Sequence, residues 1–124
     1  MTMVIGLLTD LFFSARIRET AKTLGLPCEI VRTPEQLMEK APGASAVIVD
    51  MNLKTADAGQ VVASLRANET TRMLPIVGYL FDAQEDLMIA AEKAGCDRVL
   101  SRGQLTRMLP DLLSGKVPIA ERGR

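Results

Sequence analysis

Ala44-Ser45-Ala46-Val47-Ile48-Val49-Asp50 is the stretch that decides the fold. A short apolar run that stops at a carboxylate reads as a strand covered on both faces, since it has no solvent side on which to carry polar residues. Met3-Val4-Ile5-Gly6-Leu7-Leu8 upstream and Pro75-Ile76-Val77-Gly78-Tyr79-Leu80 downstream have the same character. Helical signals fill the gaps. Leu11 to Leu24 is amphipathic and stops at Gly25. Thr33-Pro34-Glu35-Gln36 supplies an N-cap threonine, a proline at the first helical position and a glutamine at the third. That helix carries Leu37 and Met38 and ends at Pro42-Gly43. Asp57 to Gln60 repeats the capping spacing and opens a helix with Val61, Val62 and Leu65 on one side. Asp82 to Glu85 has the capping-box form and predicts a helix that buries Leu87, Ala91 and Ala94 and closes at Gly95. Ser101 to Gln104 caps the last helix, with Leu105, Met108, Leu109 and Leu112 inward, and Pro110 predicts a kink or an early break.

Strand and helix thus alternate five times, which argues for an α/β domain with a parallel sheet and helices on both faces. Glu29-Ile30-Val31-Arg32 and Arg98-Val99-Leu100 are short and charged, as edge strands are. With the second and fifth strands at the edges, the flavodoxin-like order 2-1-3-4-5 follows, and the chain reverses direction between strands one and three. A length of 124 residues holds one such domain. Its expected extent is residues 1–115, with 116–124 as a flexible C-terminal tail, because Lys116 to Arg124 has no periodicity.

Composition closes several routes to function. Fifteen basic and fifteen acidic residues leave a formal net charge of zero, so no bulk field draws in nucleic acid or an anionic membrane. There is no histidine, which removes Ser-His-Asp and Cys-His catalysis, histidine-ligated zinc and a phosphohistidine carrier role. Without tryptophan, and with one tyrosine and three phenylalanines, there is no platform for stacking bases. Cys28 and Cys96 are far apart and read as small buried hydrophobes in a reducing compartment. No run approaches the roughly 20 apolar residues of a membrane span. A cytoplasmic protein is expected.

Open parallel sheets bind ligands where the carboxyl ends of their strands meet the reversal. The chain places Thr9-Asp10, Asp50-Met51-Asn52, Leu80-Phe81-Asp82 and Ser101-Arg102 at those ends. Asp10 and Asp50 should face each other across adjacent strands. Two close carboxylates repel, and a divalent cation such as magnesium relieves that repulsion. Plainer roles stand beside this one: Asp10, Asp82 and Ser101 as helix caps, and Asp50 as acceptor of a loop backbone hydrogen bond. No glycine-rich phosphate loop of the GxGxxG or GxxxxGK[ST] type occurs.

These residues carry a resemblance. From about residue 3 to residue 113 the chain resembles the receiver domain of bacterial two-component response regulators, including the small chemotaxis-type receivers. The likeness rests on the strand ending in Asp50, on Leu74-Pro75-Ile76-Val77, and on Ala94-Gly95-Cys96-Asp97-Arg98-Val99-Leu100-Ser101-Arg102. It implies that Asp50 is a phosphoryl acceptor served by a histidine kinase or another signalling protein. It further implies that Asp10, Asp50 and the backbone carbonyl of Asn52 hold Mg2+. Departures are equally plain. Thr9 replaces the first acid of the family's metal-binding pair, and Leu80 stands where the family has serine or threonine. Arg102-Gly103 replaces lysine-proline, leaving Arg102 as the charge partner of the acceptor, and Val99 replaces the switch aromatic. The resemblance is therefore to a divergent or pseudo-receiver, with at most self-catalysed phosphoryl transfer at Asp50.

Charge is divided along the C-terminal third. Asp82, Glu85, Asp86, Glu92 and Asp97 face Lys93 alone, whereas Arg98, Arg102, Arg107, Lys116, Arg122 and Arg124 outnumber Asp111 and Glu121. Adjacent patches of opposite sign suit docking to a protein partner or a homodimer. The alternative from another class is a small flavodoxin-like enzyme or ligand-binding protein that uses the crevice at Asp10, Asp50 and Arg102.

Overall fold

A computed structural model describes residues 3–82 and 84–120. The elements run β1 (Val4–Leu7), α1 (Leu11–Thr23), β2 (Cys28–Val31), α2 (Pro34–Lys40), β3 (Ala46–Asp50), α3 (Ala58–Ala67), β4 (Ile76–Leu80), α4 (Glu85–Ala94), β5 (Arg98–Ser101) and α5 (Arg102–Ser114). All strand pairs are parallel and the order is β2-β1-β3-β4-β5, as the placement of charged strands at the edges predicts.

Side chains of the inner strands alternate between two cores. Ile5, Leu7, Val47, Val49 and Ile76 pack with Leu37 of α2, Val61, Val62 and Leu65 of α3, and Ala91 of α4. Val4, Ile48, Val77 and Tyr79 point the other way, against Phe13 and Ile17 of α1 and Leu105, Leu109 and Leu112 of α5. Burying both faces costs the sheet nothing in unpaired backbone, because its N–H and C=O groups are spent in the ladder.

Most caps form as the spacing predicts. Thr33 Oγ1 accepts from Gln36 N, Asp57 Oδ1 from Gln60 N, and Ser101 with Gln104 makes a full capping box. Three expectations are corrected. The α4 helix begins two residues late, at Glu85 after Gln84, and Asp82 does not cap it; Asp82 instead accepts from Gln84 N through its backbone carbonyl. Leu87 is 39% exposed, so Ala91 is the residue that seats α4. Pro110 does not break α5, which runs through it to Ser114; its ring sits on the exposed side while Leu109 and Leu112 hold the helix to the core. 

Residues just past α5 make contacts of their own. Val117 and Ile119 lie against the α1–α5 core, and Arg98 donates from Nε and Nη2 to the carbonyl of Pro118 at 3.0 and 2.9 Å. Apolar residues at 117 and 119 can reach that core because α5 ends beside it, a proximity that periodicity does not encode. Residues 121–124 lie outside the described residues.

At the amino ends of the strands, Arg66 of α3 serves as a hub. Its Nε donates to Gly95 O, Nη1 to Arg72 O and Leu74 O, and Nη2 pairs with Asp97 Oδ2 at 2.9 Å. Asp97 Oδ2 also accepts from Ile76 N, so one partly buried ion pair ties the α3–β4 and α4–β5 connections to the start of β4. Cys28 and Cys96 are free and belong to opposite faces of the sheet. Burial pushes the Cys96 thiol up to about 12, so it stays protonated and unreactive.

Gly78 leaves no room in the centre of β4. A Cβ there would stand 2.8 Å from Cys96 Sγ and 2.9 Å from Met51 Cγ. Gly78→Ala is expected to lower stability by about 1–3 kcal/mol, as overpacking does. A reduced urea midpoint with an unchanged slope is the measurement, and an unchanged midpoint contradicts this account of the core.

Candidate functional site

The carboxyl ends of β1, β3, β4 and β5 open on one cleft of about 550 Å³. Thr9, Asp10, Asp50, Asn52, Tyr79 and Arg102 are among its lining residues. The sequence-derived set Asp10, Asp50, Asn52 and Arg102 is thus brought together, and each member is held by local backbone chemistry.

Asp10 ends the connection into α1. Its Oδ1 accepts from Phe12 N at 2.9 Å and Phe13 N at 3.1 Å, which is the capping role. Its Oδ2 meets Arg102 Nη2 at 2.8 Å. One carboxylate therefore caps a helix and carries an ion pair at the same time. Arg102 is the first residue of α5, and its guanidinium lies 5.1 Å from the Phe13 ring centre and 5.4 Å from that of Phe81. Both rings can hold the cation through their faces. The pair is about a third exposed on each side, so its worth to stability is small.

Asp50 closes β3, and its Oδ1 accepts from Asn52 N at 2.8 Å. This is the loop hydrogen bond weighed above. Asn52 then reaches across with Oδ1 to accept from Phe81 N at 2.7 Å, joining the loops after β3 and β4. Burial raises the Asp50 carboxyl above its ordinary value; the Asn52 N–H opposes this, Asp10 adds to it, and Arg102 opposes it.

Sequence reasoning missed Tyr79 and the two rings around Arg102. The β3–β4 register sets Tyr79 beside Asp50, and the alternation of the sheet turns it to the face of α1. Its ring packs on Phe13 with centroids 4.8 Å apart. The signal was available as the lone polar-tipped side chain in an apolar strand, at the position paired with Asp50. Leu80, by contrast, is fully buried and presents no hydroxyl to the cleft.

The charge patches expected along the C-terminal third are thinner than the sequence implies. Asp97 is bound to Arg66, Arg98 to the Pro118 carbonyl, and Arg102 to Asp10. Arg122 and Arg124, with Glu121, lie outside the described residues. On α4 the acids Glu85, Asp86 and Glu92 remain exposed beside Leu87 and Ile89.

Whether these residues suit a divalent cation turns on their donors. Among the described residues no group of three or more metal-ligating side chains comes together. Two carboxylates, the Asn52 carbonyl and water are donors that a hydrated magnesium ion accepts. The guanidinium already occupies Asp10 Oδ2, so a cation competes with Arg102 for that oxygen. The residues fit a weak, water-rich site.

Comparison with known proteins agrees with the fold. Neither a family model nor a curated protein matches the chain. Solved structures do. The response regulator from Hahella chejuensis superposes with a TM-score of 0.82 at 16% identity, covering 99% of this chain and 100% of that one. The phosphorylated cyanobacterial phytochrome response regulator RcpA gives 0.81 at 15% identity, with 94% and 96% covered. The receiver domain of the sensor histidine kinase PA1611 from Pseudomonas aeruginosa, with magnesium coordinated in its active-site cleft, gives 0.75 at 19% identity, with 91% and 98% covered. The chain has the fold of response-regulator receiver domains. Among the described residues, no helix is long and apolar enough to cross a membrane.

The raised Asp50 carboxyl has a consequence for stability. In the folded state it binds its proton more tightly than in the unfolded chain, so stability falls as pH rises from the ordinary carboxylate range through the raised folded value. Asp50→Asn removes that penalty. Its melting temperature is expected to exceed wild type by a few degrees at pH 7, with the gain vanishing below the ordinary carboxylate range. Thermal unfolding across pH checks this, and a gain that persists in acid contradicts it.

Proposed function

We propose that this chain is a receiver-like signalling domain of a two-component phosphorelay, accepting a phosphoryl group on Asp50 through a degenerate site and acting by contact with other proteins. One observation carries the reading: a partly desolvated carboxylate ends the central strand inside a cleft that also holds Asp10 and Arg102. The receiver fold supports it, as does the phosphorylated state of one neighbour.

In the proposed transfer, an Asp50 carboxylate oxygen attacks phosphorus. The bond from phosphorus to the donor breaks, and the leaving group keeps the electron pair. These 124 residues hold no histidine, so a phosphohistidine donor lies outside them, as on a histidine kinase. Charge on the phosphoryl oxygens must be neutralised for such an attack. Arg102 supplies a planar, permanently charged group that can contact two oxygens, a shape lysine lacks. Mg2+ bound by Asp10, Asp50 and the Asn52 carbonyl would supply further neutralisation. No enzymatic step beyond self-catalysed phosphoryl transfer to and from Asp50 is proposed.

Readout differs from that of the family the chain resembles. Leu80 cannot hydrogen-bond a phosphoryl oxygen, and Val99 is no switch aromatic. Partner contact therefore falls to surfaces such as the exposed acidic and apolar residues of α4, Glu85, Asp86, Leu87, Ile89 and Glu92.

Incubation with acetyl phosphate and Mg2+ followed by intact-mass analysis tests the acceptor. Wild type is expected to gain one phosphoryl adduct that Asp50→Asn lacks; identical masses end the reading. Competition at Asp10 gives a second expectation. Arg102→Ala frees Asp10 Oδ2, so Mg2+ should raise its melting temperature at concentrations several-fold lower than wild type requires. Equal Mg2+ dependence in the two proteins contradicts the competition.

A further inference from the structure

Tyr79 is the residue the proposed transfer leaves unexplained. It is 3% exposed, and its hydroxyl is the buried side-chain polar atom without a hydrogen-bond partner among the described residues. Buried polar groups in native proteins are nearly always paired, and an orphan asks for an explanation. The ring is fixed: Phe13 packs on one side and the β4 backbone anchors the other end, with Tyr79 O accepting from Met51 N at 2.9 Å. The side chain shares a sheet face and a register step with Asp50 and lines the same cleft. Burial raises its hydroxyl, and the charges of Asp50 and then Asp10 raise it further, so the group remains a proton donor.

We propose that the Tyr79 hydroxyl is a hydrogen-bond donor to a phosphate oxyanion in the cleft, filling the part for which Leu80 has no hydroxyl. The oxyanion is either a phosphoryl group on Asp50, in which case the proposal rests on the acceptor reading above, or a free phosphate. Contact requires the cleft wall to give way, and Arg102 is its movable element, tethered by one ion pair and two ring faces. An incoming oxyanion competes with Asp10 for that guanidinium.

The chain supplies its own probe. Tyr79 is the single tyrosine and there is no tryptophan, so the ultraviolet absorption and emission characteristic of a phenol report this residue alone. Wild type is treated with acetyl phosphate and Mg2+, and separately with inorganic phosphate, while the tyrosine spectrum and the intact mass are followed. Tyr79→Phe deletes the hydroxyl and keeps the ring. It is expected to melt no lower than wild type and to acquire the adduct about tenfold more slowly, the worth of one hydrogen bond to a charged group. An adduct that forms at equal rates in both proteins, with no change in the wild-type tyrosine spectrum, overturns the proposal while leaving Asp50 as acceptor. If no adduct forms but inorganic phosphate shifts the spectrum in wild type and in Asp50→Asn, the hydroxyl serves a free oxyanion and the acceptor reading falls. No adduct and no spectral response to phosphate overturns both. The spectral arms use the unaltered tyrosine, so a misfolded Tyr79→Phe would not spare the proposal.

Discussion

Everything in this molecule depends on a parallel sheet sealed on both faces. Val4 and Ile5, Val47 and Ile48, Ile76 and Val77 point alternately into two cores, and helices cover both. A sheet closed this way has nowhere to keep polar chemistry except at its ends. At the amino ends the chain spends its charge on structure, through Arg66 and Asp97. At the carboxyl ends it gathers Asp10, Asp50 and Arg102 in a cleft. The same constraint makes Asp50 awkward, because a carboxylate that finishes an apolar strand is partly stripped of water.

Arg102 gives the site its individual character. Its guanidinium does three things at once: it neutralises Asp10, it lies over Phe13 and Phe81, and it bounds the cleft. Lysine, a compact and strongly hydrated point charge, suits such a stacked position less well. Asp10 is likewise shared between a helix cap and an ion pair. The cleft thus holds a cation of its own, already paired with one of its two carboxylates.

Much of the fold could be read from the chain because its signals are local. Apolar runs, the caps at Thr33, Asp57 and Ser101, and the charged edge strands each act over a few residues. Failures came where distant parts meet. Asp82 has the capping spacing, yet α4 starts after it; Leu87 has helical phase, yet it stays exposed. In the cleft, Asp10, Asp50, Asn52 and Arg102 were legible because strand ends converge in this topology. Tyr79 was hidden because an apolar strand reads as core.

The sequence by itself determined the alternation of strands and helices, the strand order, and the carboxylates at the strand ends. Hydrophobic period and edge charge are properties of the chain that survive without knowledge of neighbours. Only the tertiary structure decided that Arg102 would meet Asp10, that Arg66 would join two loops, and that the Tyr79 hydroxyl would be buried unpaired in the strand position paired with Asp50. Those outcomes depend on distances between residues far apart in the chain, which packing and register set.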